Sequence, residues 1–299
     1  MKKLIFLIIA ALTCTAQVGA KPKNWSMSSG SKTKGIHQLS AGVRAGIVSN
    51  TASTENSTWN IGYQTALDLQ YAYYFKRSNA RNPYLGILSG VSVGYISNTL
   101  NGSINDAYST QDAAGDQIDY TITAAQINTT TSQVQLQVPV QFSLLYDGLF
   151  VNVGPKFTIP VHAPYTQQIE DVNIQAYYAP YGVTLNNQVI TGKVSDEQLY
   201  SQGTWQAPTF MLDISLEIGY DFNLGSGHLL GVGAYIDYNV YNNFTPNTSA
   251  QSMINISQIG ADPLNPAPNV EVLPMVSAYP SALNYLNAGI KVVYHFNLK

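Results

Sequence analysis

The chain has 299 residues, of which 10% are charged, and its formal net charge at pH 7 is −3. An average soluble domain is about 25% charged, so this composition is not that of an ordinary soluble enzyme. Nucleic-acid binding needs clustered Lys and Arg, and the negative net charge argues against that class. Cys14 is the only cysteine in the sequence, which argues against a zinc or dithiol centre.

Residues 1–20 have the pattern of a secretory signal peptide. Lys2 and Lys3 precede the apolar segment 4–12, and small residues follow it. We expect cleavage after Ala20, with Ala16 as the alternative site. A lipid anchor on Cys14 is a further alternative, but Thr13 occupies a position where such anchors have Gly, Ala or Ser.

The rest of the chain divides into a polar leader and one large domain. Residues 21–34 carry four lysines (21, 23, 32 and 34) and predict a solvated periplasmic tail. No later stretch has the 18 consecutive apolar residues of a transmembrane helix, which excludes a helical membrane protein. Residues 35–299 are therefore predicted to form one β domain that follows the leader.

Residues 59–75 alternate between an apolar and a polar face. The odd-numbered positions, from Trp59 to Phe75, are mostly aromatic or aliphatic, whereas the even-numbered positions include Asn60, Gln64 and Asp68. A period of two predicts one β-strand with two different faces. Because aromatic residues lie at its two ends and aliphatic residues in its middle, the pattern is typical of a strand that crosses a bilayer.

The same alternation predicts eight strands in total. They cover residues 38–47, 59–75, 85–95, 133–144, 149–159, 210–222, 230–240 and 286–296.

Short and long connections alternate along the chain. The short ones are 76–82, the Asp147-Gly148 turn and 223–227, and the long polar ones are 98–130, 162–205 and 243–282, after a first connection of intermediate length at 50–58. This order predicts an all-β fold, an eight-stranded antiparallel up-and-down transmembrane β-barrel with short periplasmic turns and long external loops. A soluble β-sandwich is the alternative, but it gives no reason for loop lengths to alternate.

Three segments resemble a known family. Residues 135–161 (QLQVPVQFSLLYDGLFVNVGPKFTIPV), 177–185 (YYAPYGVTL) and 286–296 (LNAGIKVVYHF) are similar to outer-membrane protein A-like barrels of Bacteroidota, a porin-like family. The resemblance implies an integral protein of the bacterial outer membrane, in contact with lipid and lipopolysaccharide. It also implies that Tyr294 and Phe296 on the closing strand are an insertion signal read by the outer-membrane insertion machinery.

The sequence departs from that family in two ways. Residues 297–299 follow the final aromatic residue, Phe296, which in the family stands at the very end of the chain. Many relatives carry a peptidoglycan-binding domain after the barrel, and this sequence stops at the last predicted strand. We therefore expect no direct tether to the cell wall.

Seven charged residues fall on the predicted lumen face: Arg44, Asp68, Lys156, Asp213, Glu217, Asp237 and Lys291. They are accompanied by Gln135, Gln137 and Gln141. One interpretation is a polar conduit whose charges select ions; the other is a packed network in which every buried charge is paired. Side chains fill the interior of an eight-stranded barrel, whereas aqueous channels have about 16 strands, so the packed network is favoured.

The remaining polar residues predict no cofactor, metal or catalytic site. Asp106, Asp112, Asp116 and Asp119 share one loop, but their spacing matches no calcium-binding pattern, so a solvated loop surface is favoured over a cation site. The histidines (His37, His162, His228 and His295) form no catalytic motif, although a surface hydrolase using His162 stays an alternative. His295 is expected to point inward near the periplasmic rim.

We therefore predict a non-enzymatic outer-membrane protein with a structural role and, through its long loops, an adhesive or recognition role. The loop tyrosines that favour a surface partner are Tyr165, Tyr177, Tyr178, Tyr181, Tyr200, Tyr241 and Tyr279. A small-solute porin or gated channel is the alternative function. Variable loops without a dedicated partner are the alternative interpretation of the tyrosines.

Overall fold

A computed structural model describes residues 35–50, 57–76, 82–111, 115–186, 199–245, 253–258, 268–278 and 284–298. These residues form fourteen strands and one short helix, α1 (Met275–Ala278). The predicted signal peptide and leader lie outside them. Within the described ranges, no helix is long and apolar enough to cross a membrane.

The strands follow one another along the whole described chain. Their bounds are β1 Ile36–Asn50, β2 Ser57–Trp59, β3 Gly62–Tyr74, β4 Tyr84–Gln111, β5 Gln117–Tyr146, β6 Leu149–His162, β7 Pro164–Tyr178, β8 Val183–Asn186, β9 Leu199–Thr204, β10 Met211–Gly225, β11 His228–Asn242, β12 Ile254–Gln258, β13 Pro268–Val272 and β14 Tyr285–Leu298.

Eight of these strands pair with one another in an antiparallel order that follows the chain. The order is β1, β3, β4, β5, β6, β10, β11 and β14, and β14 also pairs with β1 along its whole length. We call them the eight-strand set. They correspond to the eight predicted strands, so the all-β antiparallel prediction is confirmed. The total of eight strands is wrong, since the described residues contain fourteen.

The two faces of the eight-strand set differ as the alternation predicts. On β3 the buried and exposed residues alternate from Gly62 to Tyr74. Gln64, Asp68 and Gln70 are buried, whereas Leu67 and Leu69 are exposed. The predicted strand 59–75 is nevertheless divided, because the pairing is interrupted at residues 60–61 and residues 57–59 form the separate strand β2.

Tight turns join neighbouring strands at one end of the set. Asp147 and Gly148 join β5 to β6 with φ values of 50° and 86°, and Ser226 and Gly227 join β10 to β11 with 55° and 87°. Positive φ at both central residues is the requirement of the two-residue turns that match strand twist. The first described strand begins and the last ends at this same end, where His37 pairs with Leu298. We call it the turn end.

The described parts of the first two predicted long loops consist largely of strands, and those of the third contain β12, β13 and α1, which corrects the sequence prediction. β4 and β5 continue as a hairpin far beyond the predicted boundaries at residues 98 and 130. β7 pairs with the outer part of β5, and β8 and β9 pair with β7. We call residues 99–111 and 117–131, together with β2, β7, β8, β9, β12, β13 and α1, the extension.

The extension has its own hydrophobic core. Ile122, Ile127 and Ile169 are fully buried in it, and Met253, which directly precedes β12, and Met275 of α1 pack there. This core explains why a polar segment is ordered. Near the start of β5 the apolar residues alternate with Thr and Asp, and only the apolar ones face the interior of the extension.

The polarity of the two faces inverts where the extension begins. On the outer face, β4 changes from Val91 and Val93 to Thr99 and Asn101, and β5 from Leu136 and Val134 to Thr130 and Asn128. The inner face changes in the opposite sense, from glutamines 133, 135 and 137 to Leu100 and Ile127. The same strands therefore have an apolar outside at one height and a polar outside at the next.

Candidate functional site

The seven charged residues predicted for the lumen are all buried on the inner face of the eight-strand set. Six of the eight strands contribute them, and β6 supplies Lys156 opposite Asp213 of β10. Side chains from opposite sides of the set reach one another, as Arg44 of β1 and Gln137 of β5 do. The inner face is therefore packed against itself.

Arg44 is the centre of the first group of contacts. Its Nε donates to both carboxylate oxygens of Asp68, at 3.1 and 2.9 Å, and its Nη1 lies 3.4 Å from Asp237 Oδ2. Its Nη2 donates to Gln137 Oε1 at 2.8 Å. The guanidinium also lies 5.3 Å from the ring centre of Tyr235, within the range of a cation–π interaction. Both the charge and the N–H donors of this buried cation are thus satisfied.

The two lysines form the other ion pairs. Lys156 Nζ contacts Asp237 Oδ2, so Asp237 is shared by two cations. Lys291 Nζ donates to Glu217 Oε2 at 2.8 Å and to Gln70 Oε1 at 2.9 Å. Buried charges are costly unless they are paired and hydrogen-bonded, and these contacts meet both conditions.

Asp213 is held by uncharged donors. Thr158 Oγ1, Asn239 Nδ2 and Tyr285 Oη donate to its carboxylate at 2.9, 2.8 and 3.0 Å. Asn152 similarly donates to Glu217 at 3.1 Å. Two of the three predicted glutamines take part as well: Gln137 donates to Gln135, and Gln135 donates to Gln133. The amide of Gln141 is buried without a hydrogen-bond partner among the described residues.

One constellation on the inner face was not predicted from the sequence. His295 Nδ1 lies 2.6 Å from Ser40 Oγ, and its Nε2 lies 3.2 Å from Asp221 Oδ1. The sequence contains no catalytic motif with these residues, yet the fold brings a serine, a histidine and an aspartate together. All three lie at alternate strand positions whose side chains point inward, and this alternation is the signal that the sequence offered. His295 does point inward near the turn end, as predicted.

Apolar side chains close the inner face at both ends of the charged region. At the turn end, Ala72, Tyr74, Leu88, Leu145 and Phe150 form one cluster. At the extension end, Val48, Ile96, Met211 and Tyr285 form another. They were not predicted because they occupy the alternate positions that face inward, where the sequence pattern predicts polar residues.

The four loop aspartates do not gather into a metal site. Asp119 accepts hydrogen bonds from Ser109 and Gln117, at 2.6 and 2.7 Å, and these donors lower the pKa of its exposed carboxyl. Asp116 accepts from Tyr181 at 3.1 Å. Asp112 lies outside the described residues, and among those described no group of three potential metal ligands occurs.

Aromatic residues of the outer face collect near the turn end. Tyr294 and Phe296, the predicted insertion signal, have ring centres 4.7 Å apart, and His228 stacks on Tyr294 at 5.7 Å. His37 lies beside Tyr71 and Tyr73. His162 is exposed at the end of β6, where the described structure gives it no catalytic partner.

The loop tyrosines occupy different environments, mostly in the extension, with Tyr241 at the end of β11. Tyr165 is buried and shares a hydrogen bond with Ser201 at 2.9 Å, and Tyr178 is partly buried. Tyr177, Tyr181, Tyr200 and Tyr241 are exposed, whereas Tyr279 lies outside the described residues. Exposed aromatic surface is therefore available on the extension.

Comparison with known proteins gives only distant similarities. No family model and no curated protein matches the chain. Among solved structures it is similar to the outer-membrane protease OmpT from Escherichia coli, with 9% identity, 92% of this chain and 99% of that chain covered, and a TM-score of 0.27. It is also similar to the translocator domain of the autotransporter NalP from Neisseria meningitidis, with 7% identity, 98% and 96% covered, and a TM-score of 0.23. Neither similarity carries an argument about function.

Proposed function

We propose that this chain is an integral outer-membrane protein whose eight-strand set is a closed transmembrane β-barrel. The inversion of polarity along β4 and β5 carries the proposal. A sheet surrounded by water along its whole length has no reason to exchange its polar and apolar faces. A sheet that passes from lipid into water must do so, because lipid requires an apolar outside and water a polar one.

The apolar part of the outer face has the height of a membrane. On β4 it extends from Leu85 to Tyr95, ten residue steps of about 3.3 Å. At a strand tilt of about 40°, these steps cover roughly 25 Å along the barrel axis, the usual height of the apolar band on such barrels.

Aromatic rings lie at both borders of this band. Tyr73 with Phe75, and Tyr220 with Phe222, lie near the turn end, and the rings of Tyr63 and Tyr95 lie 6.0 Å apart near the extension. Tyrosines at these two heights fit the aromatic girdles at membrane–water interfaces. The turn end would then face the periplasm and the extension the exterior.

The barrel acts, in this proposal, as an anchor rather than a channel or an enzyme. The Arg44–Asp237 and Lys291–Glu217 ion pairs join strands that are not neighbours, and apolar clusters lie at both ends of the charged region. The serine, histidine and aspartate at positions 40, 295 and 221 expose less than a tenth of their side chains, which favours a structural role. The functional surface is then the extension, with an adhesive or recognition role.

Single-channel recording tests this function. We expect refolded protein, shown to be inserted into a planar bilayer, to give no steady openings. The double variant Phe150→Ala with Met211→Ala removes side-chain volume from the apolar clusters at both ends of the inner face. It is the matched comparison with a loosened interior. Reproducible openings of the unaltered protein, with selectivity that changes in Lys156→Met, would overturn the closed barrel in favour of a small-solute porin.

A further inference from the structure

The outer face of the extension carries a regular grid of uncharged polar side chains. Asn128 of β5 pairs with Gln168 of β7, which pairs with Tyr200 of β9. In the next row, Thr130 pairs with Thr166, which pairs with Gln202. Residues directly opposite each other on neighbouring strands point to the same side of a sheet, so these six side chains share one surface. We call it the amide–hydroxyl grid.

The grid lines a shallow depression of about 530 Å³. This volume lies within the usual range for small-molecule sites, roughly 300–1,000 Å³. With strands about 4.8 Å apart and residues of one face about 7 Å apart along a strand, the six side chains span about 10 by 7 Å. That area accommodates one or two sugar rings lying flat.

The chemistry of the grid fits a neutral polyol. Each amide offers both a donor and an acceptor, and each threonine hydroxyl can act as either, which is the set of partners that sugar hydroxyls require. Tyr200 is 65% exposed and adds an aromatic surface beside them. The six positions include no Lys, Arg, Asp or Glu, although charged residues are the usual occupants of a solvated sheet face.

One acidic residue borders the grid. Gln168 Nε2 donates to Glu170 Oε1 at 2.7 Å, which fixes the orientation of the Gln168 amide. A carboxylate at this edge disfavours an anionic ligand. On the opposite face of the same strands, Gln167 and Ile169 are buried, so the core of the extension holds the grid rigid.

We infer that the amide–hydroxyl grid binds neutral carbohydrate. The inference rests on the proposed function, which puts the extension outside the cell. The grid begins only a few residues above the apolar band, since Thr130 lies four positions before Val134 on β5, or about 13 Å away. In the proposed orientation, the saccharides of outer-leaflet glycolipids lie at about this height.

The test is a binding assay on the refolded full mature protein in detergent micelles. The probes are an array of immobilised neutral oligosaccharides, an array of uronic-acid oligosaccharides, and delipidated polysaccharide from the bacterium that carries the protein. We expect binding to neutral probes, with affinity lowered at least about tenfold in Tyr200→Ala and in Gln168→Ala. Tyr181→Ala is the matched control, because Tyr181 is 68% exposed on the same extension but belongs to the β7–β8 turn.

The outcomes separate the possible sources and failures. Binding of the delipidated polysaccharide supports the grid with a ligand in its own membrane, and binding of foreign neutral glycans alone supports it with a ligand on another surface. Binding only to uronic-acid probes, no binding at all, or equal loss in Tyr181→Ala would overturn the inference. If the protein gives no channel openings and binds no sugar, only the carbohydrate-binding inference is refuted. Reproducible channel openings would instead refute the proposed function.

Discussion

The pair formed by Glu217 and Lys291 gives the sharpest test of the packed inner face. The two side chains are almost fully buried, and their charged atoms are 2.8 Å apart. Asn152 and Lys291 both donate to Glu217 Oε2. Glu217→Gln keeps an oxygen acceptor there but leaves the Lys291 ammonium group without a compensating negative charge. Removing one partner of a buried pair costs about 3–5 kcal/mol, and we expect that loss for Glu217→Gln and for Lys291→Met.

The double variant separates charge pairing from side-chain size. In Glu217→Gln with Lys291→Met, no unpaired charge remains, and only the Gln70 carbonyl loses its donor. One unsatisfied buried acceptor costs about 1–3 kcal/mol, whereas independent single changes would sum to about 6–10 kcal/mol. The coupling free energy should therefore be at least about 3 kcal/mol.

The assay is equilibrium unfolding in guanidinium chloride of protein inserted into phospholipid vesicles, with the folded fraction taken from heat-modifiable electrophoretic mobility. Thr121→Ala, on the exposed face of the extension, should change the free energy of unfolding by less than about 0.5 kcal/mol. The reasoning is refuted if each single change costs under about 1 kcal/mol, or if the double variant loses the full sum of both.

Three further predictions follow from other parts of the molecule. Phe150→Ala should lower the free energy of unfolding by about 3–5 kcal/mol, measured in the same vesicles, because it empties the cluster at the turn end. Gly219→Ala should reduce the refolding yield on gels, since a Cβ there would lie 2.5 Å from the Val232 carbonyl oxygen and would also meet the Phe150 ring. The carboxyl of Asp119 should titrate below its ordinary pKa by ¹³C NMR. Its stabilising contribution is present above the ordinary value of about 3.9 and lost as pH falls through the lowered one, and Asp119→Asn should abolish that pH dependence. Titration of the Asp119 carboxyl at its ordinary pKa would refute this third prediction.

The side-chain direction of each strand in the eight-strand set could be predicted from the sequence because it depends only on a period of two. Arg44, Asp68 and Lys291 therefore have the predicted inward orientation. The identity of their partners could not be predicted in this way. Arg44 on β1 reaches Gln137 on β5 across the inner face, and that contact depends on the stagger of all the strands between them.

The extension could not be predicted because its signal resembles that of a loop. Between Ile118 and Ala124 apolar and polar residues do alternate, but Asp and Thr occupy the polar positions. Such a strand becomes stable only when β7 and the core residues of β12 and α1 cover it, and those residues are distant in sequence. The contact of Ser40 with His295 was missed for a similar reason, because 255 positions separate the two residues.

The central claim is that β5 passes from lipid into water between Val134 and Thr130, and site-directed spin labelling measures this directly. Single cysteines at positions 138, 134, 130 and 128 would be labelled in vesicle-inserted protein from which residues 1–20, including Cys14, have been removed. The account predicts that labels at 138 and 134 are relaxed mainly by oxygen, and those at 130 and 128 mainly by a water-soluble nickel chelate. Equal accessibility to the chelate at all four positions would contradict it.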